Sequence, residues 1–193
     1  RHPGTVGRAA PGFEVTAVDE DGRPLPAGEV GLLVCHTPGQ DRPFEYWNAP
    51  TKTDEAYLAP GTFSLGDMGR VDDEGWVHLA DRSTNMIISG GVNVYPAEVE
   101  QVLLEHPAVI DVAVFGFPED EWGDQVKAAV ELVPDTDAST AVEGILAFAA
   151  ERLGRHKVPR TIDVHASLPR QPNGKLYVRG LRDPYWEGRD RAI

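Results

Sequence analysis

The spacing of apolar residues changes at Arg82, and this change constrains the fold more than any other feature of the sequence. Before Arg82, short runs that alternate apolar and polar residues, such as 13–17 and 76–79, are separated by turn sequences rich in Gly, Asp and Pro. Runs of this kind predict short strands joined into an antiparallel sheet. We therefore expect residues 1–82 to form a small antiparallel, barrel-like β subdomain with one short helix at 51–58.

After Arg82, apolar runs alternate with helical patterns. Pro96 favours the first turn of a helix, and Pro107 prevents its continuation. The predicted elements are, in order, a helix from Pro96, strands over 109–115 and 126–133, a helix that begins with a capping box of Thr140 and Glu143, and a strand over 161–164. The order β-α-β-β-α-β predicts a compact α+β domain.

Charge and composition narrow the classes of function. The 193 residues include 18 Lys or Arg and 31 Asp or Glu, a formal charge of −13. A chain this acidic is a poor match for the phosphate backbone of a nucleic acid, so we expect no nucleic-acid partner. No apolar run approaches the roughly 20 residues that span a bilayer, and no leader sequence is evident, so we expect a soluble, cytoplasmic protein.

Common catalytic motifs are missing from the sequence. HExxH, GxSxG and GxGxxG do not occur, and the six His residues lack metal-ligand spacing, so no metal site is predicted. Cys35 is the single cysteine, and we expect it to be a small core residue rather than a nucleophile.

Three local clusters carry candidate chemistry. Asp67 lies between glycines at a predicted turn, where a carboxylate can accept hydrogen bonds from the vicinal hydroxyls of a ribose; taken alone, the pattern favours an Asx turn. Gly90 and Gly91 follow Ser89 between the apolar triplet 86–88 and residues 92–94, and they permit close approach of another group, although a bulge or tight bend has the same requirement. Lys175 follows a Pro-Asn-Gly turn that projects its ammonium group toward a phosphate or carboxylate, or simply toward solvent.

In this order and spacing, these clusters resemble the C-terminal part of the adenylate-forming (AMP-binding) enzymes, which include acyl-CoA synthetases, peptide-synthetase adenylation domains and luciferases. The segments that carry the resemblance cover nearly the whole chain: 45–48, 66–67, 81–82, 86–100, 121–123 and 168–175. The sequence of residues 86–96, MIISGGVNVYP, resembles the corresponding segment of fatty-acyl or aryl CoA ligases.

The resemblance implies roles in adenylation for three residues. Enzymes of this family join a carboxylate to ATP, release pyrophosphate, and then let a thiol displace AMP. Asp67 is expected to hold the ribose hydroxyls, and Arg82 to contact the ribose and phosphates of the nucleotide. Lys175 is expected to be the catalytic lysine, because its charge offsets the repulsion between the attacking carboxylate and the α-phosphate.

The resemblance also implies a domain organisation. Residues 1–82 correspond to the last β subdomain of the large AMP-binding domain, which is incomplete here, and residues 83–193 to the mobile C-terminal domain. Ser83 occupies the hinge position, where many relatives carry Asp or Lys. The phosphate loop, the magnesium-binding Glu and the acyl pocket are expected upstream of Arg1, so this part is expected to be inactive alone.

A CoA tunnel is the third implication. Gly90 and Gly91 are expected to line the passage for pantetheine, and Trp122 to pack near CoA, although a core Trp explains that position equally. The segment from residue 150 onward contains ten Lys or Arg and five acidic residues, a charge of +5 that leaves −18 on the first 149 residues. A basic end suits the phosphates of ATP and CoA, and a solvated basic face is the alternative.

We therefore expect the C-terminal portion of an AMP-forming acyl-CoA synthetase that uses a carboxylic acid, ATP with Mg²⁺, and CoA. Two alternatives stay open at this point. One is a peptide-synthetase adenylation domain that loads a carrier protein. The other is a noncatalytic module that binds a nucleotide or a partner protein.

Overall fold

The computed structural model describes residues 2–119 and 123–187. The chain divides into two compact units, one ending at Thr84 and the other beginning at Asn85. None of the helices in the described ranges has the length and hydropathy needed to cross a membrane.

The first unit is built around one antiparallel sheet with a short helix. Its elements are β1 (Gly7–Arg8), β2 (Glu14–Val18), β3 (Gly31–His36), α1 (Pro50–Ala56), β4 (Tyr57–Ala59), β5 (Thr62–Phe63), β6 (Asp67–Val71) and β7 (Trp76–Arg82). The strands pair in the order β1-β7-β6-β3-β5-β4, with β2 also paired to β3. This order is an open path rather than a closed ring, so the barrel-like closure expected from the sequence is not confirmed.

The second unit combines a five-stranded sheet with helices. Its elements are β8 (Ile87–Ser89), β9 (Val92–Val94), α2 (Pro96–Leu104), β10 (Val109–Glu119), β11 (Gly123–Leu132), α3 (Ala138–Arg152), β12 (Thr161–His165) and α4 (Val178–Arg182). The strand order is β10-β11-β8-β9, and β12 pairs in parallel with β11. The predicted α+β class is confirmed.

Both faces of the β10–β11 pair are covered. Val112 and Val114 pack with α2 and α3 residues in one apolar cluster. The intervening residues Ala113 and Phe115 pack with Leu168 and other residues in a second cluster. Since successive side chains of a strand point to opposite faces, the two clusters lie on opposite sides of the sheet.

The start of α3 differs from the sequence prediction. The helix begins at Ala138, and Asp137 is its N-cap, accepting a hydrogen bond from the Thr140 backbone N–H at 2.9 Å. Thr140 therefore lies inside the first turn, and the predicted Thr140 and Glu143 capping box is wrong. Asp and Thr are both good N-cap residues, and the sequence places them three positions apart.

Candidate functional site

The carboxylate of Asp67 and the guanidinium of Arg82 form an ion pair. Asp67 begins β6 and Arg82 ends β7, and the two residues are cross-strand partners. Arg82 Nε lies 2.7 Å from Asp67 Oδ1, and Arg82 Nη1 donates to the Leu65 carbonyl at 2.9 Å. The Arg82 side chain is 58% exposed and that of Asp67 is 30% exposed, so both retain surface for a ligand.

Ser83, the expected hinge residue, is tied to the turn that presents Asp67. Its backbone N–H donates to the Gly66 carbonyl at 2.8 Å. Gly66 has a φ of +81°, in the left-handed region that glycine adopts without strain. Ser83 then begins a short 3-10 turn, Ser83–Asn85. The positions of Ser83 and Asp67 are therefore coupled through one backbone hydrogen bond.

Cys35 and Asp67 line one cavity of about 240 Å³ whose other walls are largely apolar. Burial raises the pKa of the Cys35 thiol, and the nearby charge of Asp67 raises it further. The thiol is therefore protonated at neutral pH, which does not suit a nucleophile. Leu65 and Leu79 also line this cavity and are 48% and 51% exposed.

Lys175 lies on a short, internally bonded loop. The Gln171 N–H donates to the Lys175 carbonyl at 2.8 Å, and the Lys175 N–H donates to Asn173 Oδ1 at 3.0 Å. Gly174 has a φ of +84° at the tip of the loop. The Lys175 side chain is exposed. The loop thus fixes the backbone of Lys175 while its ammonium group faces solvent.

The same loop is anchored to the sheet at both ends. Leu168 is buried, and Leu176 packs against the cluster around Phe115. Arg170 donates to the Gly174 carbonyl at 2.8 Å and forms an ion pair with Asp111 at the start of β10. These contacts hold the loop to one face of the β10–β11 pair.

Gly90 and Gly91 form the two-residue turn of the β8–β9 hairpin. Ser89 and Val92 are the flanking partners, and the φ angles of Gly90 and Gly91 are +58° and +78°. Positive φ at both central residues defines a type I′ turn. A Cβ atom built at either glycine meets nothing within 4 Å. Backbone conformation thus accounts for both glycines, and the space beside them is open.

A cleft of about 710 Å³ opens next to this hairpin. Along the same edge of β11, β8 pairs at Gly123 and β12 pairs from Lys127 onward. The cleft occupies the gap between these pairings, and its walls are the hairpin and the loop that joins α3 to β12. It is lined by Ser89, Gly90, Val92, Glu119, Gln125, Val126, Arg155, His156, Val158 and Arg160.

An ion pair joins the elements on the two sides of the cleft. Lys157 Nζ lies 2.6 and 2.7 Å from the two carboxylate oxygens of Glu98. Glu98 is in the first turn of α2, which follows the hairpin directly, and Lys157 is in the loop between α3 and β12. The pair therefore restrains the width of the cleft.

Sequence reasoning identified one side of this cleft and missed the other. Gly90 was predicted, and Gly91 is its neighbour in the turn, whereas Trp122 lies outside the described residues. Arg155, His156 and Arg160 were noticed only as part of a basic C-terminal segment. Their clustering between the end of α3 and the start of β12 was the available signal.

Comparisons with known proteins relate this chain to one group of enzymes. Residues 98–175 match the family model of the AMP-binding enzyme C-terminal domain. The fatty acid–[acyl-carrier-protein] ligase ScoC of Streptomyces coeruleorubidus is 38% identical over 97% of this chain and 35% of its own length. The long-chain-fatty-acid–CoA ligase FadD13 of Mycobacterium tuberculosis is 38% identical over 96% of this chain and 35% of its own length.

The chain is also similar to solved structures over most of its length. ATP-bound MatB from Rhodopseudomonas palustris matches with a TM-score of 0.84 and 32% identity, over 97% of this chain and 37% of MatB. The chain thus spans about a third of the length of these relatives. Residues 98–175 therefore match the C-terminal domain of the AMP-binding enzymes, and nearly the whole chain is similar to fatty-acid ligases. The two fatty-acid ligases are named for different thiol acceptors, a carrier protein for ScoC and CoA for FadD13.

Proposed function

We propose that this chain is the C-terminal part of an ATP-dependent acid–thiol ligase of the acyl-CoA synthetase type. The enzyme converts a carboxylic acid and ATP to an acyl-adenylate and pyrophosphate, and CoA then displaces AMP to give the thioester. The observation that carries this proposal is that Asp67, Arg82, Lys175 and the Gly90 hairpin each sit on a locally fixed backbone. Because its proposed substrates include ATP and CoA, we propose a cytoplasmic location for the enzyme.

Asp67 and Arg82 serve as the nucleotide-binding pair. Asp67 Oδ1 holds the Arg82 guanidinium at 2.7 Å, which leaves Oδ2 to accept hydrogen bonds from the ribose hydroxyls. The remaining N–H groups of Arg82 reach the ribose and phosphate region. An arginine held on one edge by a carboxylate is already oriented, which reduces the entropy lost on binding.

Lys175 acts in adenylation as the catalytic cation. The attacking carboxylate and the α-phosphate are both anionic, and their repulsion is greatest as the bond between them forms. An ammonium group placed between them stabilises that transition state more than the separated reactants. The internally bonded loop positions the Lys175 backbone, and the exposed side chain is available to the nucleotide.

The two half-reactions use opposite sides of the mobile C-terminal domain. The lysine loop packs on one face of β10–β11 through Leu168, whereas the glycine hairpin packs on the other face through Ile87 and Val94. A rotation about Ser83, between a large-domain part over 1–82 and a mobile domain over 83–193, would present one side and then the other. This arrangement favours domain alternation over a single fixed site.

The cleft beside Gly90 is the proposed CoA site. Arg155 and Arg160 supply guanidinium groups suited to phosphates, and the open space at the hairpin admits the thin pantetheine arm. CoA carries more phosphate charge than the phosphopantetheine of a carrier protein. The basic cleft therefore favours CoA, and loading of a carrier protein, suggested by the name of ScoC, is the second candidate.

We propose that the remaining parts of the active site belong to the rest of a longer enzyme. Val6, Leu65 and Leu79 are 64%, 48% and 51% exposed near Asp67, which fits burial against that part. The described residues contain no group of three or more His, Cys, Asp or Glu able to hold a metal ion. On the family resemblance, the magnesium ligand is proposed to lie outside this chain, and no step proposed here depends on it.

A substrate panel tests the proposed activity. The complete enzyme is incubated with ATP, Mg²⁺ and either CoA or a carrier protein, with aliphatic and aromatic acids supplied one at a time. We expect acid-dependent AMP release and an acyl-CoA product. Acid-dependent AMP release with the carrier protein alone would support the second candidate, and the absence of AMP release with every acid would contradict both.

A further inference from the structure

One carboxylate oxygen in the cleft lacks a partner. Glu119 Oε2 is enclosed and has no hydrogen-bond partner within the described part of the chain. The Glu119 side chain lines the cleft, at the end of β10. Enclosing a carboxylate oxygen without a donor costs free energy, so such a group in a folded protein calls for an explanation.

The register of the sheet places Glu119 near the glycine hairpin. Glu119 pairs with Gly123 of β11, and Gly123 pairs on its other side with Ser89 of β8. With neighbouring strands about 4.8 Å apart, Glu119 and Ser89 lie roughly 10 Å apart across one row of the sheet. Gly90 follows Ser89, so an extended molecule that passes the hairpin comes within reach of the Glu119 side chain.

The chemistry of the cleft indicates which ligand group meets Glu119. Arg155 and Arg160 can only donate hydrogen bonds, and they match anionic oxygens. Glu119 can only accept when ionised, and its negative charge repels phosphates. A ligand that fits both ends must carry phosphates at one end and N–H donors at the other. CoA has this layout, because its pantetheine arm contains two amide N–H groups.

We propose that Glu119 accepts a hydrogen bond from an amide N–H of the pantetheine arm and thereby orients CoA in the cleft. The inference rests on the proposed function, in which the cleft admits CoA. The carboxylate excludes the nucleotide phosphates from the hairpin end and binds the amide there. The arm rather than the nucleotide is consequently directed past Gly90, with the thiol leading.

Thioester formation by the complete enzyme tests this role. KM is measured for CoA and for free pantetheine, which lacks the nucleotide phosphates, in the Glu119→Leu and Glu119→Gln variants. Glu119→Leu is expected to raise KM for both thiols about tenfold, the loss typical of one hydrogen bond to a charged group. Glu119→Gln keeps an oxygen acceptor and removes the charge, so its KM values are expected to stay within about twofold of the parent.

Denaturation temperature separates this role from a structural one. Replacing an unpaired, enclosed oxygen with an apolar side chain is expected to leave the denaturation temperature of Glu119→Leu equal to or above that of the parent. Glu143→Leu, on the exposed side of α3, is the control for loss of one negative charge. A lower denaturation temperature in Glu119→Leu, or equal KM increases in Glu119→Leu and Glu143→Leu, would overturn the proposal.

Arg160→Ala distinguishes failure of this inference from failure of the proposed function. It is expected to raise KM for CoA and not for pantetheine, since only CoA carries nucleotide phosphates. If Arg160→Ala raises KM for CoA while Glu119→Leu changes neither KM, the Glu119 role is wrong and the CoA cleft stands. If neither variant changes KM for CoA, the proposed CoA cleft is wrong as well.

Discussion

Asp67 and Arg82 face each other across the antiparallel β6–β7 pair, with Arg82 Nε 2.7 Å from Asp67 Oδ1. Both residues were assigned separately to the nucleotide from the sequence, fifteen positions apart. The sheet register makes them direct neighbours. Ser83, which follows Arg82, donates its backbone N–H to the carbonyl of Gly66, which precedes Asp67. The proposed nucleotide-binding pair and the proposed hinge residue are therefore parts of one local structure.

Asp67→Asn is expected to weaken ATP binding with little effect on stability. An exposed ion pair contributes about 1 kcal/mol or less, so the free energy of unfolding should change by no more than that. KM for ATP in the complete enzyme should rise about tenfold or more, because the amide is a poorer acceptor for two ribose hydroxyls. Steady-state kinetics and urea denaturation measure the two quantities.

Asp54→Asn provides the matched control for this prediction. Asp54 forms an exposed ion pair with Arg42 at 2.7 Å in the same unit. Its replacement should leave KM for ATP unchanged. Equal KM values in Asp67→Asn and the parent enzyme would remove Asp67 from the nucleotide site.

Elements with strong local signals were predictable from the sequence. Pro96 marks the first residue of α2, the predicted strand 109–115 lies within β10, and the predicted strand 126–133 matches β11 up to its last residue, Leu132. Local signals were insufficient where two nearby residues were equally good candidates for the same role. Asp137 and Thr140 are both acceptable N-caps, and the helix uses the earlier one.

The candidate site shows the same limit. Local turn sequences singled out Lys175 and Gly90, and the family resemblance gave them their expected roles, whereas the basic side of the cleft depends on a long-range pairing. Arg160 reaches the cleft because its backbone N–H donates to the Val126 carbonyl at 2.8 Å, beside the start of β12. Strand neighbours so distant in sequence are not specified by spacing or composition. Glu119 was missed for the same reason.

Lys175→Ala is expected to separate the two half-reactions. Carboxylate-dependent pyrophosphate exchange should fall about 10²- to 10³-fold, the loss typical when one preorganised stabilising group is removed. A supplied acyl-adenylate should still be converted to thioester. Lys175→Arg keeps the positive charge on the same loop and should retain part of the exchange activity. Equal loss in both half-reactions of Lys175→Ala would contradict the assignment.

Gly90→Asn tests whether the hairpin needs open space or only a positive φ. Asn adopts the left-handed conformation more readily than other non-glycine residues and is common in type I′ turns. The hairpin should therefore form, and the denaturation temperature should change little. Thioester formation from a supplied acyl-adenylate should nevertheless fall, because the added side chain enters the proposed CoA passage.

Gly91→Leu adds strain to obstruction at the neighbouring position. A left-handed conformation costs a leucine about 1–2 kcal/mol, so this variant should lose both stability and thioester formation. Normal thioester formation in Gly90→Asn would contradict the tunnel and leave the turn as the whole explanation for the glycines.

The Asp137 N-cap predicts acid sensitivity of α3. Hydrogen bonds from the backbone and side chain of Thr140 and from Ser139 lower the pKa of the Asp137 carboxyl from 3.8 to about 2. A lowered folded-state pKa contributes stability above the ordinary value, and that contribution is lost as pH falls from about 4 toward 2. Asp137→Ala should therefore lower the denaturation temperature at pH 7 and show a smaller further loss at pH 3. An equal loss between pH 7 and pH 3 in parent and variant would exclude this role.

Lys127, Asp163 and Tyr185 form a charged network on the second unit. Lys127 is buried, and its Nζ donates to Asp163 Oδ1 at 2.8 Å; Tyr185 donates to Asp163 Oδ2 at 2.5 Å. Burial raises the pKa of the Asp163 carboxyl, but the hydrogen bonds from Lys127 and Tyr185 outweigh it and hold that pKa below 3.8. Burial and the bond to Asp163 raise the pKa of Tyr185 above 10.0.

The network should therefore limit stability at both ends of the pH range. The contribution of Asp163 is present above its ordinary pKa and is lost as pH falls below about 4. The contribution of Tyr185 is present below its ordinary pKa and is lost as pH rises above about 10. Lys127→Met should lower the free energy of unfolding at pH 7 by about 1–3 kcal/mol, because Asp163 keeps its partial burial and loses its cation. Urea denaturation at pH 7 and pH 3 measures this, and the parent and Lys127→Met should differ less at pH 3; a constant difference would show that Lys127 acts by packing alone.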